Sequence, residues 1–273
     1  MQIKLFSPAK VNLFLRVVGR REDGYHNLAS LFQAIDLCDT LEFELASSDQ
    51  LLCDYPHIPK DSSNLVWRAA NLFRKKSALD FKIKVTLQKR IPKEAGLGGG
   101  SSNAATTLWA LNQLFDTPFS EDELRSFAAE IGSDIPFFFS SGRAYCTGRG
   151  ECVRSLPYQA SHVGLIVKPE VGLSTAEVFS RLSILECSSK DPEELLSTFC
   201  SGGSDYLNDL EKPAFAMVPI LKDLKERLLQ AGCHSVILTG SGTAFFCESV
   251  LPLPSSFAAI PVNFLHREPH SWY

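Results

Sequence analysis

A chain of 273 residues with 45% hydrophobic and 21% charged residues can bury one large or two medium cores, which excludes a disordered protein. Its formal net charge of -4 gives no overall basic field, which weighs against a dedicated nucleic-acid binder but leaves local spots for one phosphate group. Eight cysteines lie scattered with no CxxC pair and no Cys/His spacing suited to zinc, and read as reduced thiols of a cytoplasmic protein.

The chain opens with Val11, Leu13, Leu15 and Val17 alternating against Lys10, Asn12, Phe14 and Arg16, which predicts a half-buried strand with Lys10 and Asn12 on one face. Pro8, Lys10 and Asn12 interrupt this apolar run within the length a signal peptide needs, and no stretch approaches a membrane span. Asp23-Gly24 marks a turn, and Leu41, Phe43 and Leu45 alternate with Glu42 and Glu44 in a further strand. A helix is expected from about Ser63 to Lys76, then a strand over FKIKVTLQ that runs into a glycine loop.

Past the loop, Ala104, Leu108, Leu111 and Phe115 recur on one helical face. The next helix starts at Ser120 with a capping box completed by Glu123, turns Leu124, Phe127 and Ile131 inward, and stops at Gly132. Arg143 to about Leu156 is strand-like, and the organisation resets near Pro157. The second half reads as a strand over HVGLIVK, a helix opened by Ser174 with Glu177, a polar stretch SSKDPEELLS, and one long helix through Met217 to Gly232. Two strands flanking TGSGT follow, and the proline-bearing tail after Glu248 reads as largely irregular.

Three features carry chemistry. Gly96-Leu97-Gly98-Gly99-Gly100 between a strand and a helix places unpaired backbone N–H groups and a partial positive charge where no Cβ obstructs an anion, and a phosphate chain suits it best. A flexible hinge or helix-packing cluster is the plain alternative. The Walker lysine is absent, and the opening strands lack the βαβ setting of a dinucleotide loop. Ser101 and Ser102 either cap the helix or bind a phosphate-bound cation. Asp134, after a Gly-stopped helix and before Ile135-Pro136, is either a general base or an Asx turn. Lys10 is either a surface lysine or, beside Asn12, the partner of that base in phosphoryl transfer. Thr239-Gly240-Ser241-Gly242-Thr243 is a second small-residue turn between strands, either a plain tight hairpin or part of a site.

Taken together, PAKVNLFLRVVGRREDGYHNL, AGLGGGSSNAA, GSDIPFFF and TGSGTAFF resemble the GHMP family of small-molecule kinases over the span from Pro8 to Phe246. The resemblance implies an α+β protein of two domains: residues 1–156 with a ribosomal S5 domain 2-like fold, and residues 157–273 with ferredoxin-like topology. It implies ATP-dependent, Mg2+-assisted phosphorylation of a hydroxyl on a cytidine-diphospho sugar alcohol, by direct in-line transfer. Lys10 and Asp134 take the family's catalytic positions. The nucleotide loop falls on Pro92, Lys93, Glu94, Ala95, Gly96, Leu97, Gly98, Gly99, Gly100, Ser101, Ser102 and Asn103, with Asn64 near the adenine. The acceptor falls on Asn12, Tyr25, His26, Thr175, Phe179 and Thr239, with Tyr25 and Phe179 stacking on the pyrimidine.

The ligands of the metal are unassigned, and a monomer or weak homodimer is expected. Glu94 departs from the small residues usual in the loop and puts a carboxylate beside a phosphate site, so it must point away or pair with Lys93 or Arg90. Readings that compete with this one are a family kinase for another alcohol, a non-catalytic binding protein of the same fold, and a nucleic-acid module.

Overall fold

The computed structural model describes residues 2–159, 163–249 and 253–273. Strand β1 (Gln2–Arg20) turns at Asp23-Gly24, where the Arg21 N–H donates to the Tyr25 carbonyl at 2.8 Å, and returns antiparallel as β2 (His26–Leu45). Alternation in β1 predicts one wet face, yet every residue from Ser7 to Val17 is buried. Both faces are covered: Val11 and Leu13 share a core with Leu97 and Phe246, and Leu15 and Val17 share another with Val236 and Leu238. Register shifts at Pro8/Ala9 and Asn12/Phe14 re-aim the strand at its middle.

Next come β3 (Gln50–Cys53), α1 (Leu65–Ser77) and β4 (Ile83–Gln88). Asn64 caps α1 by accepting the Val66 N–H at 2.9 Å, and Arg74, Lys75 and Lys76 face its negative end. Helix α2 (Gly99–Leu114) is buried almost all round, not on one face only, because α1 and α3 (Glu121–Ile131) flank it on the sheet. The capping box of Ser120 and Glu123 forms, and Leu124, Phe127 and Ile131 are buried as their spacing predicts. A hairpin, β5 (Arg143–Gly148) and β6 (Cys152–Ser155), lies against β2.

The second half contains β7 (Val163–Val167), α4 (Thr175–Ser180), α5 (Pro192–Cys200), β8 (Leu207–Asn208), α6 (Glu211–Met217), α7 (Ile220–Gln230), β9 (Cys233–Leu238), β10 (Phe245–Ser249) and β11 (Ile260–Asn263). Seven strands form the first sheet, in the order β3-β4-β2-β1-β8 with β5 and β6 attached through β2. Four form the second, ordered β11-β7-β10-β9. His162 of the HVGLIVK reading and Pro252 of the tail lie outside the described residues.

Two expectations are corrected. The polar stretch holds a helix, since Asp191 caps α5 by accepting the Glu193 and Glu194 N–H groups, with Pro192 in its first turn. The single long helix is two, because Pro219 lacks the N–H that would continue α6 into α7. The described part of the tail is largely irregular, as its prolines suggest, apart from a short 3-10 turn and β11, which extends the second sheet by pairing with β7.

Beyond β11 the chain crosses back to the first sheet. Ile35 and Phe264 form an isolated bridge, Trp272 stacks on Trp109 at 5.3 Å, and the Trp272 indole N–H donates to the Phe6 carbonyl at 2.8 Å. The Arg267 guanidinium lies 4.9 Å from the Trp109 ring and 5.5 Å from that of Trp272.

Candidate active site

The middle of β1, the glycine loop, the tip of the β5–β6 hairpin, α4 and the turn at Gly240 enclose a cleft of about 1220 Å³. Lys10 stands at its centre with only 2% exposure. Its Nζ donates to Asn12 Oδ1 at 2.6 Å, lies 3.7 Å from Asp134 Oδ2, and sits 4.8 Å over the Phe32 ring. Burial lowers the Lys10 pKa, and the Asp134 carboxylate opposes that shift. The lysine is therefore a desolvated charge held in one place by two oxygens.

Asn12 does the holding. Its Nδ2 donates to Ser30 Oγ at 2.8 Å, and its backbone N–H donates to Thr239 Oγ1 at 3.1 Å. Thr239 is itself fully buried, so it joins the two sheets beneath the cleft instead of lining it. Asn208, not foreseen from the sequence, secures the same turn by donating Nδ2 to the carbonyls of Leu238 and Gly240.

The glycine loop meets its geometric requirement. Gly98 precedes α2 with φ 68°, and no side chain caps the helix. A Cβ there would stand 3.0 Å from Lys10 Cγ and 3.3 Å from the Phe138 ring, so glycine lets the loop close over the lysine. The first N–H groups of α2 are thereby left to an external anion. Pro92 through Ser101, Asn103 and Asn64 all line the cleft. Ser102 does not: it is buried and its hydroxyl bonds that of Ser7 at 2.8 Å, while Ser7 donates to Asn103 Oδ1 at 2.7 Å. Ser101 is the loop hydroxyl left facing the cleft.

Glu94 adopts φ 51° and turns its carboxylate toward Gly172, where any Cβ would strike it. Its charge acts on Lys168, whose pKa burial lowers and Glu94 opposes. Lys93 instead donates to the His57 carbonyl, and Arg90 pairs with Asp54, so neither is the expected partner of Glu94. The junction before the loop is held by Asp39, which is fully buried. It accepts from Lys89 Nζ at 2.8 Å and from the Arg90 and Ile91 N–H groups at 2.7 and 2.8 Å.

Asp134 sits between the end of α3 and a short 3-10 turn over Pro136–Phe139, with its side chain 37% exposed. Tyr25, His26, Thr175 and Phe179 line the far end of the same cleft. The His26 ring stacks on Phe179 at 5.4 Å and 25°, and the Arg149 guanidinium lies 5.2 Å over the Tyr25 ring. Thr175 shares a hydroxyl hydrogen bond of 2.8 Å with Ser241. Among the described residues no group of three or more His, Cys, Asp or Glu side chains could hold a metal.

A desolvated lysine, a half-exposed carboxylate and an uncapped helix N-terminus in one cleft define a phosphate-handling site. Residues 64–142 match the family model of the GHMP kinases N terminal domain, and residues 185–249 that of the GHMP kinases C terminal domain. The chain belongs to the GHMP kinase family. It is 50% identical over 272 residues to 4-diphosphocytidyl-2-C-methyl-D-erythritol kinase of Protochlamydia amoebophila, covering 99% of this chain and 93% of that protein. The chloroplastic kinase of the same name from Arabidopsis thaliana is 44% identical, with 100% of this chain and 76% of that protein covered. A crystal structure of 4-(cytidine 5'-diphospho)-2C-methyl-D-erythritol kinase superposes with a TM-score of 0.82 at 33% identity, covering 96% of this chain and 99% of that one. Homoserine kinase from Cytophaga hutchinsonii shares the fold, with a TM-score of 0.68 at 18% identity over 97% of this chain and 95% of that one.

Proposed function

We propose that this chain is an ATP-dependent kinase that phosphorylates the 2-hydroxyl of 4-diphosphocytidyl-2-C-methyl-D-erythritol, a step toward isoprenoid precursors. The observation that carries the reading is the Lys10–Asp134 pair at 3.7 Å, set against the uncapped N-terminus of α2 in the cleft that also contains Tyr25, His26 and Phe179. Held on the loop, ATP supplies the γ-phosphoryl group, and Mg2+ supplies charge neutralisation of its phosphates. Ser101 and Asp134 are side-chain oxygen donors lining the cleft that would hold such a cation.

Asp134 accepts the proton of the acceptor hydroxyl, and its exposed carboxylate leaves an oxygen free to do so. Lys10, fixed by Asn12, places a positive charge beside that oxygen and the transferring phosphoryl, where desolvation strengthens the attraction. Transfer runs in line from donor to acceptor without a phosphoenzyme. Thr239 serves the acceptor through Asn12, which it positions from below. The remaining parts of the reading are a domain boundary near residue 156, a cytoplasmic monomer or weak homodimer, and no nucleic-acid partner. Among the described residues no helix is long and apolar enough to cross a membrane.

The test is transfer of phosphate from ATP to the cytidine-diphospho acceptor, measured for the parent chain and for Asp134→Asn. A fall in kcat of about 100- to 10,000-fold is expected for loss of a general base. Retention of near-full activity at saturating substrates would rule Asp134 out as the base.

A further inference from the structure

The tip of the β5–β6 hairpin reads Gly148-Arg149-Gly150-Glu151, and its construction fixes one side chain. Both glycines have positive φ, 71° and 118°, and the Gly150 N–H closes the turn on the Thr147 carbonyl at 3.0 Å. Glu151 accepts the Arg149 backbone N–H at 2.6 Å and stands 3.5 Å from its Nε. A Cβ on Gly150 would lie 3.4 Å from Asp134 Oδ1, so the tip rests against the proposed base. From that foothold the Arg149 guanidinium reaches over the Tyr25 ring at 5.2 Å.

Five cations line the cleft: Lys10, Arg20, Lys89, Lys93 and Arg149. Lys10 is bound to Asn12 and Asp134, Lys89 to Asp39 and the Ile91 carbonyl, and Lys93 to the His57 carbonyl. Arg20 is exposed at the outer end of β1, opposite His26. Among the described residues nothing accepts from the terminal amino groups of Arg149, which leaves a planar fork of donors facing the cleft.

We propose that Arg149 is the residue that binds the diphosphate of the acceptor and sets the preference for a nucleoside diphosphate over a nucleoside. The inference rests on the acceptor reading above. That ligand runs from pyrimidine through two phosphates to the reacting alcohol. The cleft runs in the same order, from Tyr25 and His26 through Arg149 to Asp134 and Lys10. A bidentate guanidinium–phosphate contact suits the middle position, and its cation–π contact with Tyr25 ties phosphate binding to the stacking surface.

The experiment compares cytidine 5'-diphosphate with cytidine by calorimetry on the parent chain, Arg149→Gln and Arg149→Lys, together with acceptor turnover. In Arg149→Gln the affinity for cytidine 5'-diphosphate should fall about 10- to 100-fold, as for loss of a charge-assisted bond. Cytidine affinity should change less than about threefold, and Arg149→Lys should fall between parent and Arg149→Gln because it keeps the charge without the fork. Equal losses for both ligands would mean that Arg149 acts through Tyr25 alone and would overturn the proposal, as would no loss for either. A parent chain that does not phosphorylate the acceptor would remove the acceptor reading itself. A parent that does so, with Arg149→Gln unaffected, would remove only the role of Arg149.

Discussion

Gly96→Ala should damage the protein more than any other single methyl group added to the loop. Gly96 has φ 76°, and a Cβ there would collide with the Thr239 carbonyl oxygen and approach the Gly242 nitrogen to 2.9 Å. Both obstacles are backbone, held by the Ala244 N–H to Ala95 carbonyl bond of 3.1 Å and by Asn208, so neither can swing aside. The left-handed conformation costs an alanine roughly 1–2 kcal/mol, and overpacking adds about 1–3 kcal/mol. At ~2–4 °C per kcal/mol for a chain of this class, Tm should drop by roughly 4–20 °C.

Relief comes only by parting the loop from the Thr239 turn, so the KM for ATP should rise as well. Differential scanning calorimetry and ATP titration measure the two effects. Gly100→Ala is the control for stability: its Cβ would meet Leu65 Cδ1 at an ordinary 3.5 Å inside α2, where alanine gains up to about 1 kcal/mol of helix propensity. A Gly96→Ala protein melting within about 2 °C of the parent, under 1 kcal/mol on the same scale, would refute the reasoning.

Two further outcomes are expected. Asp39→Asn leaves the Lys89 ammonium buried without its counter-charge and should cost about 3–5 kcal/mol, read as a lower urea midpoint. Burial already lowers the Lys89 pKa and Asp39 opposes it, so in the variant the folded state binds fewer protons than the unfolded one up to the ordinary lysine range. Its stability should therefore climb with pH, and a flat profile between pH 7 and 10 would contradict the assignment. At Lys10, Asp134→Asn removes the charge that opposes burial. The 13C NMR titration midpoint of the Lys10 side chain should move to lower pH than in the parent, and an unchanged or higher midpoint would refute the coupling.

Local signals in the sequence reached as far as local causes do. The Ser120–Glu123 box, the Asp23-Gly24 turn and the strand over FKIKVTLQ are set by neighbours along the chain, and each stands where its pattern puts it. Lys10 beside Asn12 was legible because a strand's period of two puts them on one face. Their burial was not, since it depends on Gly98, Thr239 and Gly240 arriving from far along the chain. For the same reason Thr239 and Ser102 looked like ligand contacts, although their hydroxyls are taken up by Asn12 and Ser7. Nothing in the strand-like reading of Arg143 to about Leu156 marks Arg149, and only the folded chain brings the β5–β6 tip to Asp134. Glu94 had a recoverable cause in principle: Gly172 offers the space its carboxylate needs, but nothing in either segment marks the pairing.

The return of the tail to the first sheet also has a meaning for how the molecule is made. Phe6 and Trp272 are joined across 266 positions of sequence, so their contact closes almost the whole described chain into one ring. Such a closure adds little to the equilibrium entropy cost, which grows only with the logarithm of loop length, but long-range contacts of this kind slow the search for the native state. Trp109, only 6% exposed once covered, belongs to a helix synthesised long before Arg267 and Trp272. During synthesis that indole face stays wet until the tail emerges. The phosphate loop waits as well, because Ala95 and Gly96 rest on Thr239, Gly242 and Ala244 of the second half, so neither the loop nor the wall over Trp109 is complete until those later segments are made.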